Sequence, residues 1–234
     1  MSRPRDADDA RRGIWALVPI KSFDAAKERL AGMLDADERR ALMLAMARDV
    51  LTALSGSRRL AGVLIVSRSP ETDDLAESFG TARFAESPGI DLPGALAEAA
   101  GHAARHHRAE GVFIVPADVP LVGAHEVDAL LEQHRQVTLL PDRNRVGTNG
   151  LILSPHDAIE LVFDGKSFGP HLERVRAAGI APAVVADGGF ALDVDTPGDL
   201  GRLLQLGPDT ETGLFLNRAG IAGRLPGGIP TSNS

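Results

Sequence analysis

The stretch of residues 111–121 constrains the fold of this chain more than any other. Its first five residues are apolar without alternation, which is typical of a strand buried on both faces of a parallel sheet. Pro116 and Pro120 end the strand because proline donates no backbone hydrogen bond. Asp118 is the one ionisable residue between them, at the strand end where open α/β sheets bind ligands. We therefore predict that Asp118 either holds a divalent cation or caps a turn.

Predicted strands and amphipathic helices alternate through most of the chain. Methionines 43 and 46 share a helical stripe with Ala47, Val50 and Leu51, so they are interpreted as core residues. The predicted strands cover residues 14–20, 60–66, 82–85, 111–115, 137–141, 151–153, 183–185 and 191–195. This alternation predicts a single-domain α/β fold, with a mostly parallel sheet and helices on both faces.

Three helix starts carry recognisable capping signals. Asp35 and Glu38 have the spacing of a capping box. Ser69 before Pro70 and Thr196 before Pro197 place an N-cap residue ahead of a proline in the first helical position.

The length of 234 residues suits one large domain, which we predict to cover residues 13–207. Residues 1–12 are charged, lack the apolar core of a signal peptide and are predicted to be disordered. Residues 208–234 contain Gly, Pro, Asn and Ser, and are interpreted as a loosely held tail.

The composition excludes several classes of function. A net charge of −7 gives no general attraction to nucleic acid or to anionic membranes, so neither is an expected partner. The absence of cysteine excludes disulfides, thiolate metal sites and cysteine nucleophiles. Without an apolar run long enough to span a bilayer, the chain is expected to be a cytoplasmic enzyme. The sequence leaves open whether it forms a homodimer.

Four polar clusters each follow a predicted buried strand. They comprise Lys21, Lys27 and Arg29; Asp118; Arg143, Gly147 and Thr148; and Asp193 with Asp195. The basic residues of the first cluster form either a phosphate cradle or a solvated helix face. Asp193 and Asp195 would share one face of a strand, where a metal ion shared with Asp118 would offset their repulsion. The alternative is that one of them only caps the next helix.

Carboxylates and cations at one sheet edge suit phosphoryl or nucleotidyl transfer, in which positioning and charge neutralisation supply most of the catalysis. No Ser/His/Asp triad is visible, and the P-loop and dinucleotide fingerprints are both missing. His102, His106 and His107 are interpreted as a solvated helix terminus in preference to a metal site.

Five sequence pieces in this order resemble the 2-phospho-L-lactate guanylyltransferase family, over roughly residues 14–204. The pieces are Val18-Pro19-Ile20-Lys21 with Ala26-Lys27-Glu28-Arg29-Leu30; Pro116-Ala117-Asp118-Val119-Pro120-Leu121; Asp142-Arg143 with Gly147-Thr148-Asn149; Ser167-Phe168 with His171; and Leu192-Asp193-Val194-Asp195-Thr196-Pro197 with Asp199-Leu200.

The resemblance implies a nucleotidyltransferase fold of the nucleotide-diphospho-sugar transferase type. It also implies a reaction in the biosynthesis of coenzyme F(420), which is a deazaflavin. A three-carbon phospho-acid attacks the α-phosphate of GTP, and pyrophosphate leaves. The acid is 2-phospho-L-lactate, phosphoenolpyruvate or 3-phospho-D-glycerate.

The same resemblance suggests roles for individual residues. Asp118 with Asp193 or Asp195 would hold Mg²⁺, and Lys21, Lys27 and Asp118 would be catalytic. The triphosphate would meet Lys21, Lys27, Arg29 and Ser67. The phospho-acid would meet Arg143, Thr148, Asp164, Gly165 and Ser167. Relatives usually carry glycine where Asp164 stands, so the local contact is expected at Asp164 or at Gly165. No role is assigned to His171.

Two other functions are compatible with such a chain. One is a nucleotidyltransferase acting on a sugar phosphate or on molybdopterin. Such enzymes usually carry a Gly-rich, Arg-containing loop after the first strand, which residues 19–23 replace here. The other is a non-catalytic nucleotide-binding regulator, which would be expected to have lost one of the three carboxylates.

Overall fold

A computed structural model describes residues 13–20, 23 and 27–225 of the chain. The predicted disorder of residues 1–12, the last part of the predicted tail (residues 226–234) and the predicted role of Lys21 fall outside the described residues.

The described structure contains three short 3-10 helices and, as its main elements, seven strands and seven α-helices. In chain order they are β1 (Gly13–Pro19), α1 (Ala36–Gly56), β2 (Gly62–Val66), α2 (Thr72–Phe79), β3 (Ala82–Phe84), α3 (Leu92–His107), β4 (Ala109–Ile114), α4 (Ala124–Gln133), β5 (Val137–Pro141), β6 (Thr148–Leu153), α5 (Phe168–Ala177), β7 (Ala183–Val184), α6 (Pro197–Leu206) and α7 (Glu211–Arg218).

The strands form one sheet in the order β3-β2-β1-β4-β6-β5-β7. All neighbouring strands pair in parallel except β6, which is antiparallel to both β4 and β5. The loop of residues 142–147 between β5 and β6 is too short for a parallel crossover and permits only a hairpin. The predicted fold class, a mostly parallel sheet in a single α/β domain, is confirmed.

Helices cover both faces of the sheet. Successive side chains of β1 point to opposite faces of the sheet. Ala16 and Val18 pack with α1, α2 and α4, whereas Leu17 packs with α3 and α5 on the other face. The residues of β4 from Gly111 to Ile114 are buried, as predicted for a strand covered on both faces. The carboxyl ends of β1 and β4 therefore lie side by side at one edge of a rigid core.

The capping signals are confirmed at two of three helices. Asp35 and Glu38 form a complete capping box on α1, and Thr196 with Asp199 forms another on α6. Helix α2 begins at Thr72, two residues later than Pro70, because the carbonyl of Ser69 first accepts hydrogen bonds from the backbone and hydroxyl of Thr72. None of the helices in the described ranges is long and apolar enough to cross a membrane.

Two expectations for the C-terminal third differ from the structure. Residues 191–195 form no strand; a short 3-10 helix covers Gly189–Ala191, and the chain then runs irregularly beside β4. Residues 208–225 are folded, although the sequence suggested a loose tail. Leu216 and Ile221 are completely buried in a third cluster with residues of α1 and α6. Asp49 of α1 also accepts hydrogen bonds from the first backbone amides of α7.

Candidate active site

Lys27, Asp118 and Asp195 meet at the carboxyl ends of β1 and β4. Lys27 Nζ lies 2.8 Å from Asp118 Oδ2 and 2.7 Å from Asp195 Oδ1. The backbone amide of Val194 donates to the carbonyl of Asp118 at 3.0 Å, which fixes the irregular segment beside the end of β4. Lys27 has a left-handed backbone (φ 55°) and precedes the 3-10 helix Glu28–Leu30. Three residues that are distant in the chain therefore meet at one edge of the sheet.

The ammonium of Lys27 is almost enclosed, with 7% of its side chain exposed. Burial lowers the pKa of Lys27, but the charges of Asp118 and Asp195 and their hydrogen bonds outweigh burial, so the pKa is raised above its ordinary value. Lys27 is therefore a cation at neutral pH. Arg29 adds a second, exposed cation, whose Nη1 lies 3.4 Å from Asp195 Oδ2.

Asp193 does not join the carboxylate pair directly. Asn149 Nδ2 donates to Asp193 Oδ1 at 3.2 Å and also to the carbonyl of Phe190. Burial raises the pKa of Asp193; the Asn149 hydrogen bond opposes this rise, and the charges of Asp118 and Asp195 add to it. Within the described part of the chain, no group of three or more carboxylate or imidazole side chains is close enough to hold a metal ion. The predicted three-carboxylate cluster is reduced here to a pair around a lysine.

Asp199 supports the site from behind, a role that the sequence did not reveal. Its Oδ2 accepts from the backbone amides of Asp195 and Thr196 at 3.2 and 2.8 Å. Arg143 Nη1 lies 2.8 Å from Asp199 Oδ1, an ion pair rather than an aligned hydrogen bond. Burial raises the pKa of Asp199, but the hydrogen bond from the Thr196 hydroxyl, the two backbone hydrogen bonds and the charge of Arg143 lower it overall. Arg143, predicted to grip the phospho-acid, is paired in this structure with a carboxylate that positions Asp195.

The remaining candidates for phospho-acid binding lie on or beside two adjoining loops, residues 142–147 and residues 154–167. The Asp142 carboxylate accepts from three backbone amides of the first loop, and Val146 accepts from the amide of Phe168 at the start of α5. Asp164 lines a cleft that also contains Lys27 and Asp118. Gly165, the next residue, has a positive φ of 84°, which favours glycine. Ser167 is 2% exposed beneath these loops.

Thr148 and His171 form a buried pair beside these loops. His171 Nε2 accepts from the backbone amide of Val162 at 3.1 Å, so the ring proton lies on Nδ1 and is donated to Thr148 Oγ1 at 3.0 Å. Burial and the charge of Arg174 lower the pKa of His171 to about 4, with Asp164 opposing, which keeps the ring neutral. His171 therefore has a structural role, and the hydroxyl proton of Thr148 is left to point elsewhere.

A cleft of about 1590 Å³ runs along the sheet edge and includes the lysine–carboxylate cluster. It extends on one side towards the end of β3 and the start of α3, and on the other towards residues 156–164 and Arg174. Ser67, a predicted nucleotide contact, is completely buried, and its Oγ accepts from the amide of Ser69. The neighbouring Arg68 lines the cleft, with Glu86.

Solved structures of other proteins share this fold. A structure from Desulfovibrio desulfuricans described as a nucleotide-diphospho-sugar transferase aligns with a TM-score of 0.72 at 20% identity, over 88% of this chain and 95% of that chain. A nucleotidyl transferase from Methanothermobacter thermautotrophicus aligns with a TM-score of 0.62 at 14% identity, over 88% and 98%. The fold is that of the nucleotidyltransferases.

Sequence comparison identifies the family. The model of the family described as "Guanylyl transferase CofC like" matches residues 14–226, and the chain belongs to this family of nucleotidyltransferases. A phosphoenolpyruvate guanylyltransferase from Sphaerobacter thermophilus is 39% identical over 190 residues, which cover 80% of this chain and 91% of the relative. A 2-phospho-L-lactate guanylyltransferase from Methanothermobacter thermautotrophicus is 34% identical over 204 residues, covering 87% and 89%.

Proposed function

We propose that this chain transfers GMP from GTP to a three-carbon phospho-acid with release of pyrophosphate, as a cytoplasmic step of coenzyme F(420) biosynthesis. The acid is 2-phospho-L-lactate, phosphoenolpyruvate or 3-phospho-D-glycerate. The observation that carries the proposal is the bracketing of the Lys27 ammonium by Asp118 and Asp195 in the cleft of a guanylyltransferase-family fold. The names of the relatives support the choice of nucleotide and acid.

Charge neutralisation is the main task of the protein in this reaction. A phosphate oxygen of the acid forms a bond to the α-phosphorus of GTP. The bond from that phosphorus to the oxygen bridging to the β-phosphate breaks, and pyrophosphate leaves with the electron pair. Lys27 and Arg29 offset the negative charge that accumulates. The attacking oxygen is already anionic, so no strong general base is required.

The carboxylate pair fits Mg²⁺, the cofactor that the family resemblance implies. Mg²⁺ is usually held by one or two carboxylates together with substrate phosphates, so Asp118 and Asp195 suffice as the protein ligands. The nearly enclosed Lys27 ammonium, at hydrogen-bonding distance from both, marks a place that already favours a cation. When bound, Mg²⁺ would polarise the α-phosphate and neutralise the departing pyrophosphate.

The phospho-acid is proposed to bind at the opposite side of the cleft from Arg68, near Asp164 and Gly165. Thr148 can direct its hydroxyl proton towards the acid because its oxygen already accepts from His171. Ser167 would contribute its hydroxyl from the start of α5. Arg174 lines the same side and supplies a cation for an anionic substrate.

A substrate panel tests the proposal. The full-length protein with Mg²⁺ is incubated with each nucleoside triphosphate and each of the three acids, and pyrophosphate and product mass are measured. We expect pyrophosphate and a guanosine diphosphate diester with GTP and one acid. If no acid yields a product with any nucleotide, the proposed function is wrong.

A further inference from the structure

Glu86 lies in the loop between β3 and α3, where its side chain is 7% exposed at the wall of the cleft. Arg68 Nε and Nη2 donate to Glu86 Oε2 at 3.2 and 3.0 Å, and Nη2 also donates to the carbonyl of Ile90 at 3.3 Å. Across the described ranges, no residue donates a hydrogen bond to Glu86 Oε1. A nearly buried, oriented carboxylate therefore keeps one oxygen available for a ligand.

The surroundings of Glu86 suit a flat aromatic ring. The cleft beside it is bordered by apolar groups, namely Pro19, Ile90, Leu92, Pro93 and Ala97. An apolar slot with one fixed polar group is the usual design of a specific small-molecule site, because the apolar walls provide affinity and the polar group selects orientation.

The distance from Asp118 to Glu86 across the sheet edge is comparable to the length of an extended nucleotide. Glu86 follows β3 and Asp118 follows β4, and these strands are separated by β2 and β1. At a strand spacing of about 4.8 Å, the two strand ends are roughly 14 Å apart. An extended nucleotide with its α-phosphate at Lys27 would therefore place its base near the end of β3.

We infer that Glu86 selects guanine by accepting hydrogen bonds from its N1–H and 2-amino groups. This inference rests on the proposed function and deepens it. Guanine presents two adjacent donors, N1–H and the 2-amino group, and Oε1, to which no described residue donates, has two lone pairs to accept them. Adenine has no donor at its N1–C2 edge, cytosine places the acceptor N3 beside its amine, and uracil flanks its single N–H with two carbonyls. Arg68 is the positioning residue that holds the carboxylate towards the base.

The test compares GTP with ITP, which keeps N1–H and lacks the 2-amino group. For the wild-type enzyme we expect kcat/KM to favour GTP by about tenfold or more. The isosteric change Glu86→Gln places an amide N–H₂ where an acceptor is needed. It should lower kcat/KM for GTP by about tenfold or more and bring the GTP:ITP ratio close to one.

Each GTP:ITP ratio is measured on one protein sample, so incomplete folding of a variant cannot change it. The matched control is Glu98→Gln, on α3 beside the same loop, where Glu98 accepts from Ser87 and does not border the cleft. Glu98→Gln should keep the wild-type ratio. A wild-type ratio in Glu86→Gln would overturn the inference.

Failure of this inference can be separated from failure of the proposed function. If no acid is guanylylated, GDP and inosine diphosphate binding to wild type and Glu86→Gln is compared by calorimetry. If the wild type binds GDP about tenfold more tightly than inosine diphosphate and Glu86→Gln does not, the guanine site is supported even though no transfer occurs. Equal affinities in the wild type would overturn it.

Discussion

Lys27 Nζ lies 2.8 Å from Asp118 Oδ2, although the two residues are 91 positions apart in the chain. The pair exists because β1 and β4 are neighbours in the sheet, so the segments after both strands leave the same edge. Asp195 completes the contact from 168 positions away. The chemistry of the site is consequently a product of sheet order, and the substitutions below test its parts.

Asp118→Asn should reduce kcat by about 100-fold or more, because it removes a charge that holds cations at the reacting phosphate. The melting temperature should change by only a few degrees, since 27% of the side chain is exposed. Asp209→Asn, an exposed carboxylate that does not border the cleft, is the control and should retain wild-type kcat. Unchanged turnover in Asp118→Asn would exclude Asp118 from the reaction.

Lys27→Met should strengthen Mn²⁺ binding to the nucleotide-free protein by about tenfold, while abolishing most transfer activity. The ammonium competes with the metal for Asp118 and Asp195, and the neutral side chain does not. Electron paramagnetic resonance of free Mn²⁺ measures this affinity, with the exposed Lys166→Met as the control. Equal Mn²⁺ affinity in Lys27→Met and wild type would show that this carboxylate pair does not bind the metal.

Asp199→Asn should lower the free energy of unfolding by about 2 kcal/mol, because a 3%-exposed acceptor of several hydrogen bonds becomes partly a donor. It should also lower kcat, since the amide of Asp195 loses its acceptor. Urea unfolding and steady-state kinetics measure the two effects. The control Thr196→Ser keeps the capping hydroxyl and should retain both properties. Wild-type stability in Asp199→Asn would contradict this role.

His171 should make stability depend on pH between about 6.5 and 4. The unfolded state binds a proton as pH falls through 6.5, whereas burial lowers the pKa of His171 in the folded state to about 4. The unfolded state holds more protons in this window, so stability falls as the pH is lowered, by about 3 kcal/mol in total. His171→Gln should reduce the difference in unfolding free energy between pH 6.5 and pH 4 by about this amount. An identical pH dependence in the variant would show that His171 does not contribute.

Leu216→Ala should cost about 2–4 kcal/mol of unfolding free energy, because Leu216 of α7 is completely buried against α1 and α6. Leu214→Ala on the same helix removes a side chain that is 44% exposed and should cost about 0.5 kcal/mol or less. Equal, small losses at both positions would indicate that α7 is only loosely attached.

Local patterns in the sequence determined the elements of this protein and the edge at which its polar residues gather. The uninterrupted apolar run before Pro116 defined a central strand, and the spacing of Asp35 with Glu38 and of Thr196 with Pro197 defined helix starts. These features depend on side-chain periodicity and on hydrogen bonds between near neighbours, which a linear sequence displays directly.

Only the tertiary structure decided which of those polar residues meet. It placed Lys27 between Asp118 and Asp195, paired Arg143 with Asp199, and set Glu86 in the wall of the cleft beside Arg68. It also packed α7 against α1, where composition alone indicated a loose tail. Such contacts depend on strand order and on the packing of segments up to 168 residues apart, and no local pattern encodes either.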